Sequence, residues 1–139
     1  GTAIETIRRR VDELGTTVGE ALLATHASFL PQIGPLLDSG MIKGLVHITG
    51  GGFLENIPRI LPEGVAVEIN RCTWPELPIF GMMQRLGNVD EKEMFRTFNM
   101  GIGMIVVCSD DAEPEIVSQP GSCFRIGRVN SGTKDVSIR

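Results

Sequence analysis

Three consecutive glycines, Gly50-Gly51-Gly52, separate a short apolar run from a segment of helical character, and they restrict the local fold more than any other feature. Each glycine loses more backbone entropy on folding than any other residue and can take φ values closed to the rest. A packed strand or helix cannot carry three of them without weakening, so 50–52 is a turn. Met41 to Thr49, MIKGLVHIT, precedes the turn and reads as a buried strand. Phe53 to Ile60 follows and reads as a helix that Pro58 limits to a turn or two. A strand, a glycine loop and a helix start, in that order, leave N–H groups that favour an anion. His47 and Thr49 alternate with Ile48, so at a period of two they share one face of the strand end. Thr49 offers a hydroxyl, and Arg59 a guanidinium fork for a carboxylate or phosphate. The same glycines also suit a tight turn that holds nothing. Glu55 and Asn56 are then helix-surface residues rather than ligand contacts.

The better-known nucleotide loops are excluded. GxxxxGK[ST] does not occur, and GGG lacks the spacing of a dinucleotide fingerprint. A net charge of -4 recruits no nucleic acid, so an anionic ligand must be held locally. One Trp, six Phe and no Tyr argue against base-stacking platforms. The 139 residues fit one domain with a core of its own. Cys72, Cys108 and Cys123 form no CxxC pair, and an odd count suits reduced thiols and a cytoplasmic setting. Cys108 closes an apolar run and reads as a small buried hydrophobe. No apolar run approaches a membrane span, and GTAIETIRRRVDEL is no signal peptide.

Ile4, Ile7, Val11 and Leu14 predict an amphipathic helix ended at Gly15, with Arg8, Arg9 and Arg10 on its solvated face. Short helices are expected around Glu20 to Leu23 and from Pro31 to Ser39, the latter with Gly40 past its end. Val65, Val67 and Ile69 mark a half-buried strand. Helices follow over Ile79 to Leu86 and from an Asp90 N-cap to Arg96. Met104 to Cys108, MIVVC, is the most strand-like run, and Glu113 to Ser118 is a further short helix. Phe124 to Val129 and Val136 to Ile138 read as closing strands around the turn Asn130-Ser131-Gly132. Mixed rather than alternating elements indicate α+β.

Asn99-Met100-Gly101-Ile102-Gly103 is a second glycine-containing loop, either a close-packed bend or a ligand contact through Asn99. His26 has no acid or hydroxyl in a recognisable relation to it and reads as an isolated surface or core histidine. No Ser/His/Asp or Cys/His arrangement and no metal-ligand spacing is present, so no catalytic nucleophile or metal ligand is assigned.

HITGGGFLENIPRILP, followed by EMFRTFNMGIGM, resembles the carboxy-terminal domain of the phosphoribosylformylglycinamidine cyclo-ligases, also called phosphoribosylaminoimidazole synthetases, of purine biosynthesis. The resemblance runs from about Gly15 to the C-terminus and is strongest from Gly44 to Val107. It implies an α+β domain with α/β/α layers around a mixed, largely antiparallel sheet. It also implies a ligase that closes the imidazole ring of formylglycinamidine ribonucleotide with ATP and Mg²⁺, giving aminoimidazole ribonucleotide, ADP and phosphate. The substrate's own amidine nitrogen is the nucleophile there, so the protein positions groups and stabilises charge. His47, Thr49, Gly50, Gly51 and Gly52, with Asn56, Arg59, Asn99 and Gly101, are the implied substrate- and phosphate-binding residues. The implied partners are the phosphorylated small-molecule substrate, an ATP-binding amino-terminal domain that also carries most of the ATP and Mg²⁺ contacts, and a second copy in a homodimer. No nucleic acid or membrane is expected.

Two departures stand out. LLATHASFLP, Leu22 to Pro31, replaces a Pro-Thr-Arg-Ile-Tyr-like stretch, and the tail after Asp110 is short and divergent. The ATP-binding domain and the acidic glycine-rich segment that the resemblance implies are not found in the sequence, so residues 1–139 read as a single carboxy-terminal domain lacking its ATP-binding partner and inactive alone. The alternatives are a free-standing module that binds a phosphometabolite or a protein, and a diverged paralogue.

Overall fold

The computed structural model describes residues 3–139. Helix α1, Ala3–Arg8, stops six residues before the expected end. The reason lies in Gly15, whose left-handed backbone (φ 65°) ends a 3-10 turn over Asp12–Leu14. This reverses the chain, so that β1 (Arg10–Val11) pairs antiparallel with β2 (Thr16–Thr17). The helical periodicity across 4–14 is local and is overridden by this pairing. Arg8, Arg9 and Arg10 are exposed, as expected, and Arg10 Nη2 donates to the Gly15 carbonyl at 3.0 Å. Helix α2, Val18–Leu22, begins at a capping box in which the Thr17 hydroxyl accepts from the Glu20 N–H and Glu20 reaches back to Thr17 N–H. Residues 23–29 have no regular structure.

Helix α3 (Leu30–Ile33) continues as a 3-10 segment over Gly34–Ser39, where Pro35 removes a helical donor, and ends at left-handed Gly40. Strand β3, Ile42–His47, follows. It is not buried throughout: Val46 and Ile48 point into the core while His47 and Thr49 face out. Helix α4, Gly52–Asn56, tightens into a 3-10 turn at Ile57–Ile60. Strand β4 spans Val65–Ile69, α5 Pro78–Gly87 and α6 Glu91–Thr97; the Asp90 side chain caps α6 by accepting from Lys92 N–H at 2.9 Å. Strand β5 is Met104–Cys108, α7 Glu113–Val117, β6 Gly127–Ser131 and β7 Val136–Ile138.

The fold class is α+β, as expected, with the β structure divided among small sheets. Besides the β1–β2 pair, β3 pairs antiparallel with β5, and β4 lies between β6 and β7. The closing strands are not a hairpin. β6 is antiparallel to β4 and β7 parallel to it, on its other side. The linking residues cross the start of β4, where Gly132 N–H donates to Gly64 C=O and Lys134 N–H to Val65 C=O. The turn expected at 130–132 thus begins only after Ser131.

The main core closes where α4 and α6 meet. Phe53 (0% exposed) stacks on Trp74 at 5.9 Å and meets Phe95 edge-on at 5.5 Å. Each such ring adds about 1.5–3 kcal/mol of burial. A smaller cluster of Leu36, Ala112 and Ile116 includes Cys108 at its edge. Cys108 is half-buried rather than fully enclosed, because β5 has a partner strand on one side only.

Candidate functional site

The antiparallel pairing of β3 with β5 positions the site. His47 is opposite Met104, and Ile48 N–H donates to Gly103 C=O at 2.8 Å. The end of β3 and the start of β5 are therefore neighbours, and the two glycine loops, 50–52 and 99–103, emerge at the same end of this sheet.

Within the first loop the glycines differ. Gly52 N–H donates to Thr49 C=O at 3.0 Å, closing the turn. Gly51 (φ 98°) and Gly52 (φ 53°) are left-handed, and Gly52 is buried. A Cβ on Gly52 would stand well inside 3.0 Å of the Phe95 carbonyl oxygen and 2.9 Å from the Arg96 carbonyl carbon. Gly52 is thus a packing requirement that lets α4 approach α6. Gly50 is exposed, with nothing within 4 Å of a Cβ there. Of the three, it has the space for a ligand.

Asn56 is 4% exposed, so it is not a helix-surface residue. Its Nδ2 donates back to the carbonyls of Gly52 (2.8 Å), Thr49 (3.2 Å) and Gly50 (3.2 Å). One amide group buckles the whole loop and retains only acceptor capacity. Glu55 lies across Gly51, with Oε2 2.8 Å from where a Gly51 Cβ would stand, and Oε1 is 3.4 Å from Arg96 Nη1. Arg96 also pairs with Glu93, which it holds below the usual carboxylate range. Negative charge therefore covers the α6 side of the glycine loop.

The opposite side is positive. His47, Thr49, Asn56 and Arg59 line one shallow depression of about 200 Å³ between β3 and the 3-10 turn after α4. Among the described residues, His47, Thr49 and Arg59 make no side-chain hydrogen bond or ion pair, whereas Arg71, Arg85, Arg96, Arg125 and Arg139 are each matched to a carboxylate. No carboxylate lines the depression. Unspent donors beside a cation form a receptor for an anion.

In the second loop, the Asn99 side chain accepts from Gly101 N–H at 3.0 Å, and Met100 (φ 48°) and Gly101 (φ 92°) are left-handed. Trp74 Nε1 donates to the Met100 carbonyl at 2.9 Å. Asn99 thus shapes its own turn. Gly103 receives the ring of Phe29, since a Cβ there would stand 3.1 Å from Phe29 Cε2. Phe29 carries with it a neighbour the sequence did not reveal. The His26 ring lies 5.5 Å from that of His47, centroid to centroid. Nothing local signalled this; His26 and Phe29 both fall in the divergent Leu22 to Pro31 segment.

A larger cavity of about 560 Å³ opens along β5 and β6. It is lined by aliphatic side chains and by Cys108 and Cys123, with Asp110, Glu113, Arg125 and Arg128 also on its wall, and none of the nine candidate residues reaches it. Burial raises both thiols, and for Cys108 the nearby Glu113 and Asp110 add to it. Among the described residues no three His, Cys, Asp or Glu side chains converge as a metal site, and no helix is long and apolar enough to cross a membrane.

A family described as "AIR synthase related protein, C-terminal domain" matches residues 2–138. Among curated proteins, the chain is 40% identical over 138 residues to a phosphoribosylformylglycinamidine cyclo-ligase of Bifidobacterium longum subsp. infantis, covering 96% of this chain and 40% of the relative. Proteins of the same name from Acetivibrio thermocellus (45% over 136 residues; 95% and 40% covered) and Alkaliphilus metalliredigens (51% over 107 residues; 77% and 31% covered) are also similar. The chain thus spans about two fifths or less of the length of these relatives.

Proposed function

The chain belongs to the family of AIR synthase related carboxy-terminal domains, and from that premise we propose that it serves in a cytoplasmic purine-biosynthesis ligase. That enzyme converts formylglycinamidine ribonucleotide and ATP into aminoimidazole ribonucleotide, ADP and phosphate. The observation that carries the reading is the β3–β5 pairing. It gathers both motifs at one sheet end and leaves His47, Thr49 and Arg59 with unspent donors around one depression.

In this reading the depression holds the phosphate of the substrate. Arg59 supplies a fixed positive charge, Thr49 a hydroxyl donor and His47 a ring N–H, while the exposed Gly50 lets the ligand approach the backbone. Asn56, Gly51, Gly52, Asn99 and Gly101 hold the two loops in shape. The described residues do not suit Mg²⁺: among them no three acidic, His or Cys side chains converge, and the depression carries Arg59 and no carboxylate. ATP and Mg²⁺ are assigned to an amino-terminal ATP-binding domain of the enzyme, and no step is routed through them here. Leu22, Leu23 and Leu30, exposed at 60%, 83% and 70%, flank the depression-side segment and suit docking against that domain or a second subunit.

The experiment is a chimera in which this chain replaces the matching segment of the Acetivibrio thermocellus relative. Given formylglycinamidine ribonucleotide, ATP and Mg²⁺, the chimera forms aminoimidazole ribonucleotide, and R59A in the chimera raises KM for the ribonucleotide more than it lowers kcat. A folded, ATP-binding chimera without ring closure refutes the ligase reading in favour of a binding module.

A further inference from the structure

We propose that His26 is a second phosphate-gripping residue of this site, acting with His47 as an imidazole pair for a phosphomonoester dianion. The inference rests on the reading of the depression as the phosphate side of the substrate site. The chain contains two histidines, 21 positions apart, and the fold brings their rings to 5.5 Å with a 58° tilt. The arrangement is held from beneath. Phe29 meets His26 edge-on at 5.8 Å and His47 at 6.2 Å, and its ring is seated on Gly103 at the start of β5. The irregular segment 23–29 is therefore pinned across the sheet end where both glycine loops emerge.

Ring packing alone does not account for the pair. Both histidines are exposed, so stacking them shields little apolar surface. Neither ring nitrogen forms a hydrogen bond or faces a carboxylate within salt-bridge distance among the described residues. The spacing suits one phosphate. A charge-assisted N–H···O bond of about 2.8 Å puts phosphorus roughly 5 Å from each ring centre, so two rings 5.5 Å apart can both donate to one group. A metal ion is the poorer occupant. Two imidazoles lack the further ligands that a cation needs, and Arg59 opposes its charge.

The test is a titration of the full chain with ribose 5-phosphate, followed by the histidine ring signals and the glycine amides in NMR. Both imidazoles are expected to shift with one shared Kd. H26F, which keeps an aromatic ring against Phe29 but has no donor, is expected to bind roughly tenfold more weakly with an unchanged melting temperature. If His47 and Gly50 shift while His26 stays still, or if H26F binds like the parent chain, the inference falls and the depression reading stands. If neither histidine nor any loop glycine moves at saturating ligand, both fall. A structural role for His26 would instead lower the melting temperature of H26F and spare the affinity of the fraction that remains folded.

Discussion

Substituting each of the three loop glycines by alanine separates packing from ligand approach. In G52A the new Cβ meets the backbone of α6 at Phe95 and Arg96, which cannot rotate away as a side-chain tip can. The left-handed backbone adds about 1–2 kcal/mol and the overpacking about 1–3 kcal/mol, so the loss is about 2–5 kcal/mol. In G51A the Cβ meets the Glu55 side chain at 2.8 Å with φ at 98°, and about 1–3 kcal/mol is lost. In G50A nothing lies within 4 Å and φ is not positive, so stability holds or rises by about 0.4–1 kcal/mol through the unfolded chain. Urea denaturation gives these values directly. In a melt, each kcal/mol moves the midpoint by roughly 3–5 °C for a chain of 139 residues. The predicted order of stability is G50A, then G51A, then G52A. If G52A is as stable as the parent, or if G50A loses as much as G52A, the division of roles within the loop is wrong.

Four further outcomes are expected. N56L, which strands three carbonyls of the glycine turn, costs about 1–3 kcal/mol in denaturant; N56D costs more at neutral pH and recovers as pH falls and the buried carboxyl is protonated. W74F loses the bond to the Met100 carbonyl and destabilises by about 1–3 kcal/mol, read by circular dichroism. Glu20 is held at about 2 by the hydroxyl of Thr16 and the N–H and hydroxyl of Thr17, below its unfolded 4.5. The support it gives α2 is therefore complete above pH 4.5 and is lost as pH falls toward 2; acid titration of E20Q should lack that loss. With a chromogenic disulfide reagent, exposed Cys72 reacts first, while Cys108 and Cys123, whose thiols are raised by burial, react slowly.

What was legible in the sequence was what short-range periodicity and chain punctuation encode. The alternation of His47 and Thr49 with Ile48, the Asp90 cap and the Gly40 stop all stand as read. Misreadings arose where a distant partner decided the outcome. The helix expected to Leu14 ended at Arg8 because Thr16 and Thr17 return to pair with Arg10 and Val11. The last two strands looked like a hairpin, yet β4 inserts between them, and no local signal carries that. Asn56 is turned inward because Gly52 lets α4 press on α6, 40 residues further along the chain. His26 lacked any motif, and its meeting with His47 comes from Phe29 finding Gly103.

The central claim is that an anion is held on the His47–Arg59 side of the first glycine loop. A phosphate titration followed through backbone amide and arginine side-chain signals tests it most directly. The account predicts that the largest shifts fall on Gly50, Thr49 and the Arg59 guanidinium, and that R59A abolishes them without altering the rest of the spectrum. Largest shifts along β5 and β6, at the cavity near Cys108 and Cys123, with Gly50 and Arg59 unmoved, would contradict it.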